Sequence, residues 1–302
     1  MHATEHSRTA EYMALFRALE TAQGAHRRLF DDPWAARFLR PSLKAVATLA
    51  RVPAAGRVIA NYIDRRWPGG RSSGIARTRY IDDMVEGALK EGVDQIVILG
   101  AGFDCRAYRL AATKRAHVFE VDHPNTSRMK QERVRAGSGK LPAHVTYVAI
   151  DFNTQNLADG LSAAGFDAKR PAFFVWEGVT QYLDAAAVDG TFRFIASAAP
   201  GSEILFTYVE KGAIGSDPKF AGMEALRKTL KEVGEVWKFG FYPDELADYL
   251  AARGLKLVSD LDATQYRALY MGDRPFKGYE YYHVAVAEVA GTRAQVKKLE
   301  YA

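Results

Sequence analysis

Short apolar segments that alternate with helical stretches constrain the fold of this chain more than any other feature. Five such segments lie at 95–99, 117–122, 145–150, 172–176 and 203–209. Strands that alternate with helices form βαβ units with parallel strands, and nearly continuous apolar runs indicate a sheet covered on both faces. The pattern therefore predicts an α/β fold built on a mainly parallel sheet.

The C-terminal part of the chain adds two further strands, at 256–261 and 281–289. The stretch between them, 262–280, shows no strong helical pattern. A strand that is reached without a crossover helix joins its neighbour antiparallel. We therefore expect a Rossmann-like sheet of seven strands, mostly parallel, with an antiparallel last strand.

The first 75 residues are predicted to be helical throughout, because their apolar residues recur at helical spacing. Helices are predicted over 8–30 and 43–67, and Pro33 after Asp32 is typical of a helix start. We predict one domain over 1–302. Its four parts are an N-terminal helical cap (1–75), a ligand-binding core (76–209, opening with a helix over 76–90), a substrate lid (210–242) and a sheet-closing part (243–302). The lid could equally be a helical hairpin that only covers the sheet.

Composition excludes several classes of protein. The chain has 41 Lys and Arg against 36 Asp and Glu, and no cluster of basic residues longer than a pair, so we expect no nucleic-acid partner. No apolar run reaches the roughly 18 residues that span a bilayer, and the N-terminus lacks the apolar stretch of a signal peptide. A single cysteine, Cys105, fits a reducing compartment. We expect a cytoplasmic protein without a membrane partner, and we predict no metal site.

A glycine-rich turn follows the first predicted strand. Gly100, Ala101 and Gly102 allow a tight turn and a close approach to a ligand, and Asp122 follows 20 residues later, where a carboxylate accepts hydrogen bonds from ribose. A dinucleotide fingerprint would place Gly or Ala at Cys105, and Asp104 is poorly placed to meet a pyrophosphate. It could instead neutralise a cationic ligand or cap the helix. The turn therefore favours S-adenosylmethionine, which has no phosphate and carries a sulfonium, over a nicotinamide cofactor.

The ends of the third and fourth predicted strands also carry acidic residues. Asp151 and Phe152 follow the third strand and suit an adenine edge and face, while Glu177 and Gly178 follow the fourth and could hold an ammonium group. Each acidic residue alone could simply cap a helix. The coincidence of Asp122, Asp151 and Glu177 at the carboxyl edge of one sheet favours a binding crevice.

Further candidates surround this predicted crevice. Arg77 or Arg79 could bind a carboxylate through two hydrogen bonds, although both could lie on a solvated helix face, and Arg17 is a weaker candidate of the same kind. Arg106 at the end of the glycine turn and His123 beside Asp122 complete the predicted cofactor-binding set. Tyr12, Tyr182 and Tyr208 are candidates for an acceptor pocket between the cap and the lid. Neither His123 nor His283 is a compelling catalytic base.

Five ordered motifs resemble the leucine carboxyl methyltransferase family: ARTRYIDDMV, QIVILGAGFDCRAYRL, VFEVDHP, AIDFN and FFVWEGVTQYL. The likeness is greatest to the bacterial branch that includes polyketide O-methyltransferases, and it covers about residues 8–210. It implies the class I methyltransferase fold with S-adenosylmethionine as cofactor. It also implies that Arg77 binds the cofactor carboxylate, Asp122 the ribose, Asp151 and Phe152 the adenine, and Glu177 the methionine end.

The residues leave the methyl acceptor open. A carboxylate acceptor is already ionised at neutral pH and needs no base, whereas a phenol benefits from one. We expect an O-methyltransferase that acts on a carboxylate or phenolic hydroxyl of a small molecule. The alternatives are a methyltransferase of a protein C-terminal carboxylate or of tRNA, an NAD-dependent oxidoreductase, and a non-catalytic protein that binds S-adenosylmethionine.

Overall fold

The computed structural model describes residues 8–151, 155–214, 220, 223–232, 234–272 and 277–291. Seven strands form one sheet in the order β3-β2-β1-β4-β5-β7-β6. Their bounds are β1 Gln95–Leu99, β2 His117–Asp122, β3 Val145–Ala149, β4 Phe173–Trp176, β5 Glu203–Val209, β6 Leu255–Asp262 and β7 Tyr282–Val289. Neighbours among β1 to β5 pair in parallel, and β7 pairs antiparallel with both β5 and β6. The predicted fold class is confirmed.

Eleven α-helices belong to the described part of the chain. Those before the sheet are α1 Arg8–Thr21, α2 Pro41–Leu49, α3 Pro53–Arg66 and α4 Gly70–Lys90. Those that follow are α5 Arg106–Arg109, α6 Pro124–Ser138, α7 Leu157–Ala163, α8 Ala185–Ala196, α9 Met223–Glu232, α10 Pro243–Ala251 and α11 Ala263–Met271. None of the helices in these described stretches is both long and apolar enough to cross a bilayer.

Helix α11 corrects the expectation for 262–280. Its start is fixed by a capping box, in which Asp262 accepts backbone hydrogen bonds at the N-terminus while the Gln265 side chain bonds back to the backbone of Asp262. β7 is therefore reached through a helix and is still antiparallel. The orientation was predicted correctly for an incorrect reason, since α11 packs on the face that α4 also covers and β7 still pairs antiparallel with β6.

The helical cap also departs from its predicted bounds. α1 ends at Thr21 rather than near residue 30, and only a 3₁₀ turn, Ala35–Phe38, follows Pro33. Pro41 opens α2, because proline is tolerated at the first helical position. α4 begins at Gly70, six residues before the predicted start, because the preceding Gly69 adopts a left-handed conformation (φ 79°) and turns the chain into the helix.

The two faces of the sheet have different partners. One face packs Phe174, Trp176 and Phe206 against α7, α8 and α10, and the other packs Ile96, Val175 and Leu205 against α4 and α11. A third apolar cluster, including Phe16 and Phe38, joins the cap to the chain that follows β1. This arrangement covers both faces and places the cap over the carboxyl edge, where the predicted binding residues end their strands.

Candidate functional site

The glycine turn after β1 is held against both neighbouring strands. Gly100 has a φ of 65°, and a Cβ atom there would lie 2.4 Å from Cγ2 of Val179, in the turn after β4. Gly102 has a φ of 36°, and its amide donates to Oδ2 of Asp122 at 2.5 Å. Glycine is needed at both positions, since L side chains rarely adopt these angles and the first site also lacks space.

Asp122 lies at the end of β2 beneath this turn. Its Oδ1 accepts the amide of His123 at 2.7 Å, so each carboxylate oxygen receives one backbone donor and keeps acceptor capacity. Burial raises the pKa of Asp122, and the two amide bonds oppose that rise. The ring of His123 is turned towards α6, where it accepts the amide of Asn125 at 3.3 Å. His123 therefore borders the site through its backbone and caps a helix with its side chain.

Glu177, at the end of β4, sits between two arginines. Nε of Arg77 donates to Oε1 at 2.8 Å, and Nη1 of Arg106 donates to Oε2 at 2.8 Å. Burial opposes the charged form, but Arg106 and Arg77 together lower the pKa of Glu177 to about 2. The site thus holds an ionised carboxylate beside Arg77, a guanidinium that is 4% exposed. Such a pair presents both charges to a ligand.

The Glu177→Gln variant is expected to lose a stabilisation that depends on pH. A carboxylate whose pKa falls from 4.5 to about 2 on folding stabilises the native state above pH 4.5, and this contribution disappears as the pH falls towards 2. At neutral pH the difference in unfolding free energy should be about 3 kcal/mol, from 1.36 kcal/mol per pKa unit. Urea unfolding of both proteins between pH 7 and pH 3 measures it. A difference that does not shrink below pH 4.5 would contradict the assignment.

A chain of alternating charges connects this clamp to the cap. Arg106 also pairs with Asp104 and, at 2.9 Å, with Asp82. Asp82 in turn binds Arg109 at 2.6 Å. The chain continues through Arg109 to Asp32, and Asp32 receives Arg17 from α1. Asp104 is therefore neutralised within the protein, where the nearby cations lower its pKa against the effect of burial. It also caps the backbone of Arg106. Sequence reasoning missed Asp32, Asp82 and Arg109, because each pairs with a residue remote in sequence.

A second buried ion pair supports the glycine turn from below. Nζ of Lys130 lies 2.9 Å from Oε1 of Glu120 and donates to the carbonyl oxygen of Ala101 at 3.1 Å. The hydroxyl of Tyr108 donates to the other oxygen of Glu120 at 2.6 Å. Lys130 and Glu120 are each 1% exposed. Ala101 thus contributes to the site through its backbone, and Lys130 holds that backbone in place.

The remaining predicted residues are divided between the site and other regions. Asp151 lies directly beyond β3 at the same edge, and Gly178 follows Glu177, donating its amide to Oγ1 of Thr207 at 2.8 Å. Phe152 lies outside the described residues. Arg79 is placed away from the clamp, because it projects from another face of α4 and pairs with Asp83 at 2.9 Å and with the carbonyl of Leu29. Arg79 therefore lies outside the clamp that Arg77 and Glu177 form.

The three tyrosines predicted for an acceptor pocket lie in different parts of the structure. Tyr208 is fully buried on the face that packs against α8 and α10, where it bonds Asp260 and stacks on His283 at 4.7 Å. Strand alternation puts it on the opposite face of the sheet from Tyr282, which lies under Arg77 at 4.5 Å. Tyr208 therefore does not belong to an acceptor pocket next to Arg77. Tyr12 packs against Trp67 in the cap with the two rings tilted, and Tyr182 lies in the turn after β4.

The residues at this edge fit S-adenosylmethionine. Its amino-acid end carries an ammonium and a carboxylate, which match the charges of Glu177 and Arg77. Asp122 retains acceptors for ribose hydroxyls, and the glycine turn lets a ligand approach the backbone. Among the residues that the structure describes, no group of three or more His, Cys, Asp or Glu side chains is arranged to hold a metal ion.

Comparison with known proteins identifies the class. A protein of Mycobacterium avium (strain 104), assigned as an S-adenosyl-L-methionine-dependent methyltransferase, is 33% identical over 264 residues, which are 85% of each chain. A protein of Mycolicibacterium paratuberculosis with the same assignment is 34% identical over 85% of this chain and 94% of its own.

Two crystal structures share the fold. One, of a protein from Thermobifida fusca assigned as a methyltransferase, has a TM-score of 0.57 at 18% identity and covers 96% and 97% of the two chains. The other, of a DUF574 family protein from Streptomyces avermitilis, has a TM-score of 0.56 at 15% identity and covers 94% and 98%.

The chain is therefore a methyltransferase that depends on S-adenosylmethionine. The model of the leucine carboxyl methyltransferase family matches residues 10–196, which is more than half of the sequence. The chain belongs to this family, as its motifs predicted.

Proposed function

We propose that the protein transfers a methyl group from S-adenosylmethionine to an oxygen of a small molecule, either a carboxylate or a phenolic hydroxyl. In this proposal the backbone of Gly100–Gly102 cradles the cofactor, and Asp122 accepts its ribose hydroxyls. Arg77 and Glu177 hold the amino-acid end, while Asp151 and Phe152 bind the adenine, as the family resemblance implies. Arg106 acts through Glu177, which it positions and keeps ionised.

The closure of the carboxyl edge carries the proposal of a small acceptor. The amide of Lys238 in the lid donates to the carbonyl of Gln181 in the turn after β4 at 2.7 Å. Nε1 of Trp67 in the cap donates to Oγ1 of Thr229 in the lid at 3.0 Å. The cap, lid and turn therefore meet above the sheet. Such enclosure favours a small acceptor over a folded macromolecule, and it excludes water from the displacement.

Transfer of a tritiated methyl group from labelled S-adenosylmethionine tests the proposal. The acceptors are a panel of small aromatic and aliphatic acids and phenols, together with bulk tRNA and a peptide ending in a free carboxylate. We expect label only in small molecules, with a rate that changes less than about twofold between 50 and 200 mM salt, because phosphate contacts would impose a steep dependence. Labelling of tRNA or of the peptide alone would refute the proposal.

A further inference from the structure

A cavity of about 370 Å³ opens within the cap. It is lined by α1, by the loop and 3₁₀ turn that follow α1, and by α2 with the turn after it. Its lining residues fall between 18 and 51, so the cap itself forms the walls. A volume above about 300 Å³ is enough for a small organic molecule. The cavity is therefore a candidate for a ligand site apart from the carboxyl edge of the sheet.

Alanine side chains form the apolar part of the wall. Ala18 and Ala22 lie on one side of α1, since they are one helical turn apart and the amide of Ala22 bonds the carbonyl of Ala18 at 3.0 Å. Ala36 and Ala47 line the cavity from the 3₁₀ turn and from α2. Short side chains on facing elements leave a space that larger side chains would fill. The wall can thus contact the apolar or aromatic body of a ligand.

Cationic side chains surround the opening of the cavity. Arg28 lines it from the loop, Lys44 from α2 and Arg51 from the turn after α2. Lys44 and Arg51 are exposed, and they lie on the same side because they are two helical turns apart. Neither forms an ion pair with another described residue, whereas Arg28 shares its charge with Asp31 at 3.3 Å. Two uncompensated cations therefore remain at the mouth.

The carboxylate that lines the cavity, Asp32, does not neutralise these cations. Its side chain is 0% exposed, and its Oδ2 lies 2.9 Å from Nε of Arg17 and 3.6 Å from Nε of Arg109. Its Oδ1 accepts two backbone amides. Glu20, also on α1, is buried at 3% exposure and bonds a backbone amide and the side chain of Gln23. The balance of charge at the opening is therefore positive, and it favours an anionic ligand.

We propose that this cavity is a second ligand site, which binds a small organic anion with an apolar body. The anionic group contacts Lys44 and Arg51 at the mouth, and the apolar body packs against the alanines inside. The hydroxyl oxygen of Thr21 accepts the amide of Asp32 at 2.7 Å, so its proton is free to donate to the ligand. This ligand is not the methyl acceptor, since the cap builds the site rather than the residues that fit S-adenosylmethionine.

Two probes of matched shape test the chemistry of the ligand. Naphthalene-2-sulfonate and its neutral sulfonamide are titrated calorimetrically into the protein saturated with S-adenosylhomocysteine. The sulfonate is a permanent anion, and it is neither a carboxylate nor a phenol. We expect it to bind at least about 10-fold more tightly than the sulfonamide, because each exposed charge pair contributes up to about fivefold. Equal affinities, or no binding of the sulfonate at millimolar concentration, would overturn the proposal.

Three variants test the location of the site. The double variant Lys44→Gln with Arg51→Gln should weaken the sulfonate about 10-fold and leave the sulfonamide unchanged. Ala22→Leu, which fills the cavity and keeps the cations, should abolish binding of both probes. Arg57→Gln removes an exposed arginine of α3 outside the cavity and should change neither affinity. Unfolding midpoints confirm that each variant is folded. Undiminished binding of the sulfonate in the folded double variant would refute the proposal and leave the assignment of methyl transfer untouched.

Discussion

The Asp122→Asn variant should bind S-adenosylhomocysteine at least about 100-fold more weakly than the wild type while keeping its fold. Asparagine still offers one oxygen to the amide of Gly102, so the glycine turn keeps its anchor. It lacks the charge and the second acceptor that two ribose hydroxyls require. Hydrogen bonds to a charged group contribute about 1.5–3 kcal/mol each, and about 3 kcal/mol corresponds to the expected 100-fold. Isothermal titration calorimetry measures the change.

Asp94→Asn is the matched control for this titration. Asp94 directly precedes β1, at the edge of the sheet opposite the carboxyl ends, and it pairs with Arg170. Its replacement should leave the affinity for S-adenosylhomocysteine unchanged. An Asp122→Asn protein with unchanged affinity and an unchanged unfolding midpoint would show that the nucleoside does not bind at the end of β2.

The Asp82→Asn variant should lose about 3–5 kcal/mol of unfolding free energy, because removing one member of a buried ion pair leaves its partners uncompensated. Asp82 lies between Arg106 and Arg109, at 2.9 and 2.6 Å. The three side chains are 6%, 4% and 3% exposed. Urea unfolding at pH 7 measures the loss. Affinity for S-adenosylhomocysteine should fall as well, since Arg106 also orients Glu177.

Asp83, the next residue on α4, supplies the control for the Asp82→Asn variant. Asp83 pairs with Arg79, and those two side chains are 31% and 42% exposed. Exposed ion pairs contribute about 0–1 kcal/mol, and Asp83 also accepts a hydrogen bond from Tyr270. Asp83→Asn should therefore cost no more than about 1–2 kcal/mol. Equal losses in the two variants would indicate that the charge chain does not hold the cap to the sheet.

The alternation of strands and helices was sufficient to predict the sheet, because each strand carries its own apolar run between turn residues. The predicted bounds of β1, β2 and β5 match the structure, and those of β3 and β4 each extend it by one residue. The start of α4 and the whole of α11 were not predicted, although Asp262 and Gln265 form a capping box that could have revealed α11. Local capping signals are weak beside hydrophobic periodicity, and only their combination with packing selects a helix.

The sequence by itself determined which residues end the strands at the carboxyl edge and the cofactor class that they fit. Strand order and parallel direction bring Gly102, Asp122 and Glu177 to one edge, whatever the packing details. Only the tertiary structure decided how those residues are charged and partnered. Arg106 pairs with Asp82, Asp104 and Glu177, while Arg79 and Tyr208 lie away from the clamp. Such pairings depend on how the cap and lid dock on the sheet. That docking is set by long-range side-chain packing, which has no periodicity in the sequence.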